Sequence, residues 1–234
     1  MTLITSGTPE PLVDEPTTFG AGGAEPYASA LLGSAHVLYL HGIRSEDGSG
    51  AATMNAARWS ADADATDLSL LAGVSGPLLD IGCGPGRMVR AAMDLGLSAV
   101  GIDVSATAVG IAVAAGLPVL NRSVFAPIPL EGRWETLLLV DGNIGIGGDA
   151  QAMMLRCATL LAVGGILVIE VSADPDHDLS YQGTLEDAEG HRSDSFPWAE
   201  IGARALQPHA EVAGLRLAHE WRVSGRSFVR FVRA

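Results

Sequence analysis

Between residues 77 and 171, apolar runs of strand length alternate with segments that have a helical pattern. The runs are continuous and do not alternate with polar residues, which is typical of strands that are buried on both faces of a sheet. Repeated strand–helix–strand units of this kind predict a parallel, doubly wound α/β sheet. The predicted strands are residues 77–81, 99–103, 118–123, 134–140 and 165–171, and the helices between them are predicted to end near Leu95, Ala115 and Leu161.

The segments outside this unit have a different composition. Residues 1–25 are rich in proline and glycine and predict a flexible tail, and residues 26–76 predict an extension with a short helix and a strand. Residues 174–198 are polar and predict a hairpin or a lid, inserted into a domain that spans residues 77–234. We expect a helix over about residues 199–214, followed by a β-hairpin.

The chain carries a strong net negative charge. It has 27 acidic residues and 14 basic residues, which gives a formal net charge of −13, and every basic residue is an arginine. This charge disfavours nucleic acids and anionic membranes as partners. The lack of lysine also excludes a Schiff-base lysine and a P-loop lysine.

Other features concern the cellular compartment. The first residues lack the basic and apolar regions of a signal peptide, and no apolar run reaches the length of a membrane span. Cys83 and Cys157 lie in different sequence contexts, which favours free thiols and a reducing compartment. The spacings typical of structural zinc sites do not occur. We therefore expect a soluble cytoplasmic protein without a bound metal.

The most informative segment is DIGCGPGR, which begins at Asp80 and ends at Arg87. It leaves a predicted strand and opens a helix, so its glycines, in the glycine loop of residues 82–86, allow a ligand to approach the backbone closely. Asp103 ends the next predicted strand, where an acid can accept both hydroxyls of a ribose. A dinucleotide-binding loop would have glycine in place of Arg87. Asp80 would repel a diphosphate, whereas it suits a ligand with an ammonium group.

DIGCGPGR followed by GIDVS resembles motif I and the ribose-binding acid of the class I S-adenosylmethionine-dependent methyltransferases. The resemblance covers about residues 70–172 and implies a mostly parallel seven-stranded sheet whose last strand is antiparallel. The longer run LLLVDGNIGIGGD, residues 137–149, resembles a narrower subgroup of methyltransferase-like proteins.

The resemblance implies S-adenosylmethionine as the cofactor. The glycine loop would hold its methionine portion, Asp80 would contact its amino group through water, and Asp103 would bind the ribose. The family often has an acid after the third strand, but this chain has Ser123-Val124-Phe125 there. Cys83 also fits as a small residue that fills a tight turn, which we favour over a reactive thiol. The residues implied to bind the cofactor are Asp80, Gly82, Cys83, Gly84, Gly86, Asp103, Val104, Ser123, Val124, Phe125 and Asp141.

The candidates for chemistry lie after the fourth and fifth predicted strands. Asp141 lines the site or abstracts a proton, and the glycines that follow it either approach a ligand or make a turn that ends in a helix cap at Asp149. His177 and His191 are candidate bases in the insertion, although loop histidines are more often solvated. His36 and His41 are weaker candidates.

Aromatic residues are candidates for an acceptor pocket. Trp59 comes from the N-terminal extension, and Tyr181, Phe196 and Trp198 come from the insertion; the alternative is packing between these segments and the sheet. We expect both segments to flank the cleft, with Trp59 or Trp198 near Asp141. The predicted substrate pocket is Trp59, Asn143, Tyr181 and Trp198.

These features together predict methyl transfer from S-adenosylmethionine to a small-molecule acceptor in secondary or specialised metabolism. One alternative is an enzyme that uses the sulfonium for other chemistry, such as cyclisation or decarboxylation. A second alternative is a non-catalytic module that only binds the cofactor.

Overall fold

The computed structural model describes residue 19 and residues 25–33, 36–42 and 52–234. The helices are α1 (Glu25–Leu32), α2 (Ala57–Ser60), α3 (Ala65–Leu70), α4 (Arg87–Asp94), α5 (Ala106–Ala114), α6 (Ala150–Leu160) and α7 (Ala203–Val212). The strands are β1 (Val37–Gly42), β2 (Ala52–Asn55), β3 (Leu78–Ile81), β4 (Ala99–Asp103), β5 (Val119–Asn121), β6 (Trp134–Leu139), β7 (Leu161–Val171), β8 (Asp178–Asp187), β9 (Phe196–Ile201), β10 (Leu215–Val223) and β11 (Arg226–Arg233). A 3₁₀ turn covers Asn143–Gly145.

Seven strands form the main sheet, in the order β10-β11-β7-β6-β3-β4-β5. Strands β3 to β7 are parallel to their neighbours in this set, whereas β11 is antiparallel to both β7 and β10. All four residues of β3 are buried, as expected for a central strand with helices on both faces. The predicted α/β fold with an antiparallel last strand is confirmed.

Two of the helices that cover the main sheet, α5 and α6, begin at residues whose side chains cap the first turn. Ser105 Oγ accepts a hydrogen bond from the backbone N–H of Ala108 at 3.3 Å, at the start of α5. Asp149 Oδ1 accepts one from Ala152 at 2.9 Å, at the start of α6. Each cap satisfies a backbone donor that the first helical turn leaves unpaired.

A second, smaller sheet is antiparallel, in the order β2-β1-β8-β9. The insertion is therefore a hairpin, and its strand β8 pairs with β1 of the N-terminal extension on one side and with β9 on the other. The helix predicted from residue 199 starts too early, because Phe196–Ile201 is a strand and α7 begins at Ala203. Pairing with β8 outweighs the local helical pattern in this segment.

The buried apolar residues form three clusters. Two clusters lie against the main sheet, around Trp134 and Phe231 in one and around Met88 and Phe228 in the other. The third joins α1 to the small sheet and includes Tyr27 and Trp198. No helix in the described ranges is both long and apolar enough to span a membrane.

Most of the predicted tail lies outside the described residues, namely residues 1–18 and 20–24. Its flexibility therefore stays a prediction, as does the proposed division of the chain at residue 77. Phe19 is described, and its ring packs against the third cluster.

Candidate functional site

The glycine loop follows β3 and is held against the end of β4. Gly82, Gly84 and Gly86 all have positive φ, at 69°, 54° and 93°, a backbone conformation that residues with a Cβ rarely adopt. The backbone N–H groups of Gly82 and Cys83 donate to the carbonyl oxygen of Ile102 at 2.9 and 3.0 Å. These two bonds fix the loop at the carboxyl edge of the main sheet.

Two members of the loop face the protein interior. A Cβ on Gly86 would lie 2.5 Å from Leu117 Cδ1, so Gly86 allows α4 to pack closely. The Cys83 thiol lies against Gly101, where an added Cβ would come within 2.5 Å of Cys83 Sγ. Burial raises the pKa of the Cys83 thiol well above its usual value. These contacts support the interpretation of Cys83 as a small residue that fills a tight turn.

A cavity opens at the carboxyl ends of β3, β4, β5 and β6, between the main sheet and the small sheet. About 910 Å³ of space lies between its walls, part of it open to solvent. Predicted cofactor residues that line it are Asp80, Gly82, Cys83, Gly84, Asp103, Val104, Ser123, Val124 and Asp141. Predicted pocket residues that line it are Trp59, Asn143 and Trp198.

Five predicted site residues are absent from the described wall of this cavity. Gly86, the last residue of the glycine loop, faces Leu117 and Ala112, and Phe125 is 46% exposed with its ring close to Gly147. The hydroxyl of Tyr181 donates to Glu200 Oε1 at 2.7 Å.

The remaining two are His177 and His191. His177 Nε2 lies 3.3 Å from Glu200 Oε2, and His191 Nδ1 lies 2.9 Å from Asp187 Oδ2. Asp187 raises the pKa of His191 by accepting its hydrogen bond. Both imidazoles therefore lie beside carboxylate groups, and neither histidine lines the cavity. The weaker candidates are also engaged, His36 with the carbonyl oxygen of Ala30 and His41 with Glu186.

Asp103 is a buried carboxylate that two backbone groups orient. It accepts hydrogen bonds from the N–H of Gly84 and the N–H of Ser105, each at 2.8 Å. Burial raises the pKa of Asp103, while these hydrogen bonds oppose the rise. Because each carboxylate oxygen has a further lone pair, Asp103 can still accept two hydroxyl donors from the cavity.

Asp80 is also buried, but unlike Asp103 it has no hydrogen-bond partner among the described residues. It is 2% exposed. Burial raises its pKa to about 7; Asp141 and Asp103 add to the rise, and Arg87 opposes it. A carboxyl group that is buried without a partner is costly, so Asp80 is ready for a cationic ligand.

Asp141 belongs to an ion-pair network that the sequence analysis missed. It has a positive φ of 57°, and its two oxygens pair with Arg87 and Arg226. Its backbone N–H donates to Glu170 Oε2 at 2.7 Å. Arg226 also pairs with Glu170 and Asp67, and Arg87 pairs with Asp67. We call this set the arginine network. Arg87 is adjacent to the glycine loop, but no local pattern indicates its partners.

The far wall of the cavity is aromatic and combines both predicted segments. Phe19 lies 5.3 Å from Tyr27, 6.2 Å from Trp59 and 5.3 Å from Trp198, measured between ring centroids. Tyr27 lies 5.5 Å from Trp59. Tyr27 and Phe19 were not predicted as site residues. Each is an isolated aromatic residue in its part of the sequence, so no local pattern marks it. Only the folded chain brings the rings together.

The second glycine loop, residues 142–148, approaches protein rather than open cavity space. A Cβ on Gly145 would lie 2.2 Å from the carbonyl oxygen of Ala199, and one on Gly148 would lie 2.9 Å from Pro197. Asn143 lines the cavity, and its Nδ2 donates to the carbonyl oxygens of Ile81 and Gly82 at 2.8 and 2.9 Å. Gly145 and Gly148 therefore allow close packing against β9.

No protein-family model and no curated protein matches the sequence. Solved structures do match in fold. A SAM-dependent methyltransferase from Bacteroides fragilis, in complex with S-adenosyl-L-homocysteine, superposes with a TM-score of 0.75 at 17% identity, over 93% of this chain and 99% of the other. The chain has the class I methyltransferase fold.

Two further structures share this methyltransferase fold over a smaller part of the chain. The 1,6-didemethyltoxoflavin-N1-methyltransferase of Burkholderia thailandensis matches with a TM-score of 0.53 at 16% identity, over 73% of this chain and 77% of the other. The glycopeptide N-methyltransferase MtfA matches with a TM-score of 0.57 at 14% identity, over 74% and 91%. In the methyltransferase fold of this chain, the cavity occupies the carboxyl edge of the parallel strands, where open α/β sheets bind ligands.

Proposed function

We propose that the protein binds S-adenosylmethionine in this cavity and transfers its methyl group to a small-molecule acceptor. The observation that carries the proposal is the pair of buried carboxyl groups, Asp80 and Asp103, that line one cavity beside the glycine loop. Asp80 has no hydrogen-bond partner among the described residues and suits the ammonium group of the cofactor. Asp103 is oriented by backbone N–H groups and suits the two ribose hydroxyls.

The solved structures support this proposal. The Bacteroides fragilis methyltransferase is in complex with S-adenosyl-L-homocysteine, and the Burkholderia thailandensis enzyme has both that compound and 1,6-didemethyltoxoflavin bound. The net charge of −13 also favours a small molecule over a nucleic acid as acceptor. Membership of the subgroup suggested by residues 137–149 and a role in specialised metabolism are part of the same proposal.

The bound cofactor supplies an electrophilic methyl group on a sulfonium, and the chain supplies orientation. Orientation of two reactants accounts for a large share of many enzymatic accelerations. In the described wall, both oxygens of Asp141 are paired with arginines, and no histidine is present. We infer an acceptor whose nucleophilic atom has a free lone pair, such as an amine or a ring nitrogen. The aromatic wall favours a flat apolar body.

Calorimetry with S-adenosylhomocysteine tests the binding step. We expect Asp103→Ala to weaken binding by about 2–3 kcal/mol, because hydrogen bonds to a charged carboxylate are lost. The exposed Glu135 provides a matched control, Glu135→Ala, which should bind like the wild type. Wild-type protein that binds neither S-adenosylhomocysteine nor S-adenosylmethionine would contradict the proposal.

Incubation of a metabolite extract with methyl-labelled S-adenosylmethionine tests the reaction. Methyl transfer gives S-adenosylhomocysteine and a labelled product in equal amounts. Consumption of the cofactor without S-adenosylhomocysteine would indicate other sulfonium chemistry. Binding without consumption, across extracts and amine acceptors, would indicate a non-catalytic module.

A further inference from the structure

Tyr27 has a hydroxyl group without a hydrogen-bond partner among the described residues. The residue lies on α1, in the N-terminal extension, and is 4% exposed. It lines the cavity and makes no hydrogen bond with any described residue. Buried tyrosine hydroxyls usually have a hydrogen-bond partner, so this group is suited to a ligand atom.

The hydroxyl lies directly over the glycine loop. An added Cβ on Gly84 would come within 3.3 Å of Tyr27 Oη. Burial, together with Asp103, Cys83 and Asp141, raises the pKa of the phenol well above its usual value. Tyr27 Oη is therefore a neutral donor at this position, and it cannot act as a base near neutral pH.

Tyr27 complements the groups that surround the methionine portion of the cofactor. That portion carries one ammonium and one carboxylate. Asp80 suits the ammonium, but a carboxylate needs donors, and both terminal nitrogens of Arg87 are paired with Asp67 and Asp141. Resting on the function proposed above, we propose that Tyr27 Oη donates a hydrogen bond to the methionine carboxylate of S-adenosylmethionine.

This contact would connect the cofactor side of the cavity, at the glycine loop, with the acceptor side, at the aromatic wall. The ring of Tyr27 lies 5.3 Å from Phe19 and 5.5 Å from Trp59, so the residue that binds the cofactor also supports the aromatic wall. Cofactor binding would then fix α1 against the glycine loop and complete the acceptor side of the cavity.

The test uses two ligands that differ only in the carboxylate: S-adenosylhomocysteine and its decarboxylated analogue, S-adenosyl-3-thiopropylamine. Calorimetry measures both with the wild type and with Tyr27→Phe, which keeps the ring packing. We expect Tyr27→Phe to weaken S-adenosylhomocysteine about tenfold, or about 1.4 kcal/mol, and to leave the analogue unchanged. Tyr39→Phe is the matched control, because Tyr39 lies on β1 outside the cavity wall.

The outcomes separate this inference from the proposed function. Equal weakening of both ligands by Tyr27→Phe, or no weakening of either, would overturn the carboxylate contact while leaving cofactor binding in place. Wild-type protein that binds neither ligand would overturn the proposed function, and this inference with it. A ligand-free melting temperature for Tyr27→Phe shows whether the variant is folded, and Tyr27→Trp offers a second variant without the phenol.

Discussion

The three carboxyl groups at the cavity differ in their partners, and their partners determine what each can do. Asp103 accepts two backbone N–H groups, Asp141 pairs with two arginines, and Asp80 has no described hydrogen-bond partner. A carboxylate that is already paired contributes orientation and charge balance. Asp80, which has no such partner, can pair with a cationic group of a ligand, and that ligand then determines whether the carboxyl group is protonated.

This difference predicts a pH dependence for cofactor binding. Because burial raises the pKa of Asp80 to about 7, its carboxyl group is increasingly protonated below pH 7, whereas an ammonium ligand needs the carboxylate. The affinity for S-adenosylhomocysteine should therefore be highest above pH 7 and fall by up to about tenfold per pH unit below it. Calorimetry at pH 6, 7 and 8, in two buffers with different ionisation enthalpies, measures both the affinity and the proton released.

Asp80→Asn is the control for this pH dependence. The variant should bind more weakly and show no change in affinity between pH 6 and pH 8. The sign for folding is opposite: a raised pKa in the folded state means that the ligand-free protein loses stability as pH rises from about 4 to about 7. Wild-type affinity that is constant from pH 6 to pH 8 would refute this role of Asp80.

Among the elements, the contact between the second glycine loop and β9 holds the two sheets in register around the cavity. Gly145 has no space for a side chain, because a Cβ would lie 2.2 Å from the carbonyl oxygen of Ala199 and 2.7 Å from the Trp198 ring. Since Trp198 also lines the cavity, a shift of β9 would change the shape of the acceptor side.

We expect Gly145→Ala to lower the free energy of unfolding by about 1–3 kcal/mol, the usual cost of overpacking. Gly110→Ala in α5 is the matched control: nothing lies within 4 Å of its added Cβ, and alanine in a helix interior is worth about 0.5–1 kcal/mol over glycine. Urea denaturation, followed by tryptophan fluorescence, measures both. A wild-type midpoint for Gly145→Ala would show that β9 can move freely.

Much of this architecture can be predicted from sequence patterns that involve only neighbouring residues. The continuous apolar runs, the caps at Ser105 and Asp149, and the glycine loop each depend on neighbours in sequence, and the predicted strands of the main sheet are confirmed. Only the last residues of β9, 199–201, are wrongly predicted as helix, because strand pairing with β8 is a tertiary effect that the local pattern does not carry. For the same reason the contacts of Tyr27 with residues far along the chain had no sequence pattern.

Across the whole molecule, the arginine network ties together segments that are far apart in the chain. Arg226 on β11 pairs with Asp67, Asp141 and Glu170, which come from α3, the end of β6 and β7. Burial would raise the pKa of Asp67, but hydrogen bonds from Arg87 and Arg226 lower it to about 2. Asp67 therefore stays charged, and its contribution to stability is present above about pH 4 and lost as the pH falls towards 2.

We expect Arg226→Met to lower the free energy of unfolding by about 3–5 kcal/mol at pH 7, because it removes one partner from buried acids. Arg216→Met on the exposed side of β10 is the control and should change stability by less than about 0.5 kcal/mol. Guanidinium denaturation at pH 7 compares the two variants. A loss below about 1 kcal/mol for Arg226→Met would mean that Arg87, together with Arg58 beside Asp67, is enough to neutralise these acids.

The position of β11 has a consequence for biosynthesis. β11 is translated after β10, yet it lies between β10 and β7 in the main sheet. Until residues 226–233 leave the ribosome, β7 has an open edge, β10 lacks the neighbour it has in the folded protein, and Asp141 lacks its second arginine. The glycine loop can therefore form early in translation, whereas the charge balance beside it is complete only after β11 has inserted. A stalled nascent chain that ends before residue 226 would expose a sheet edge to the chaperones that meet it.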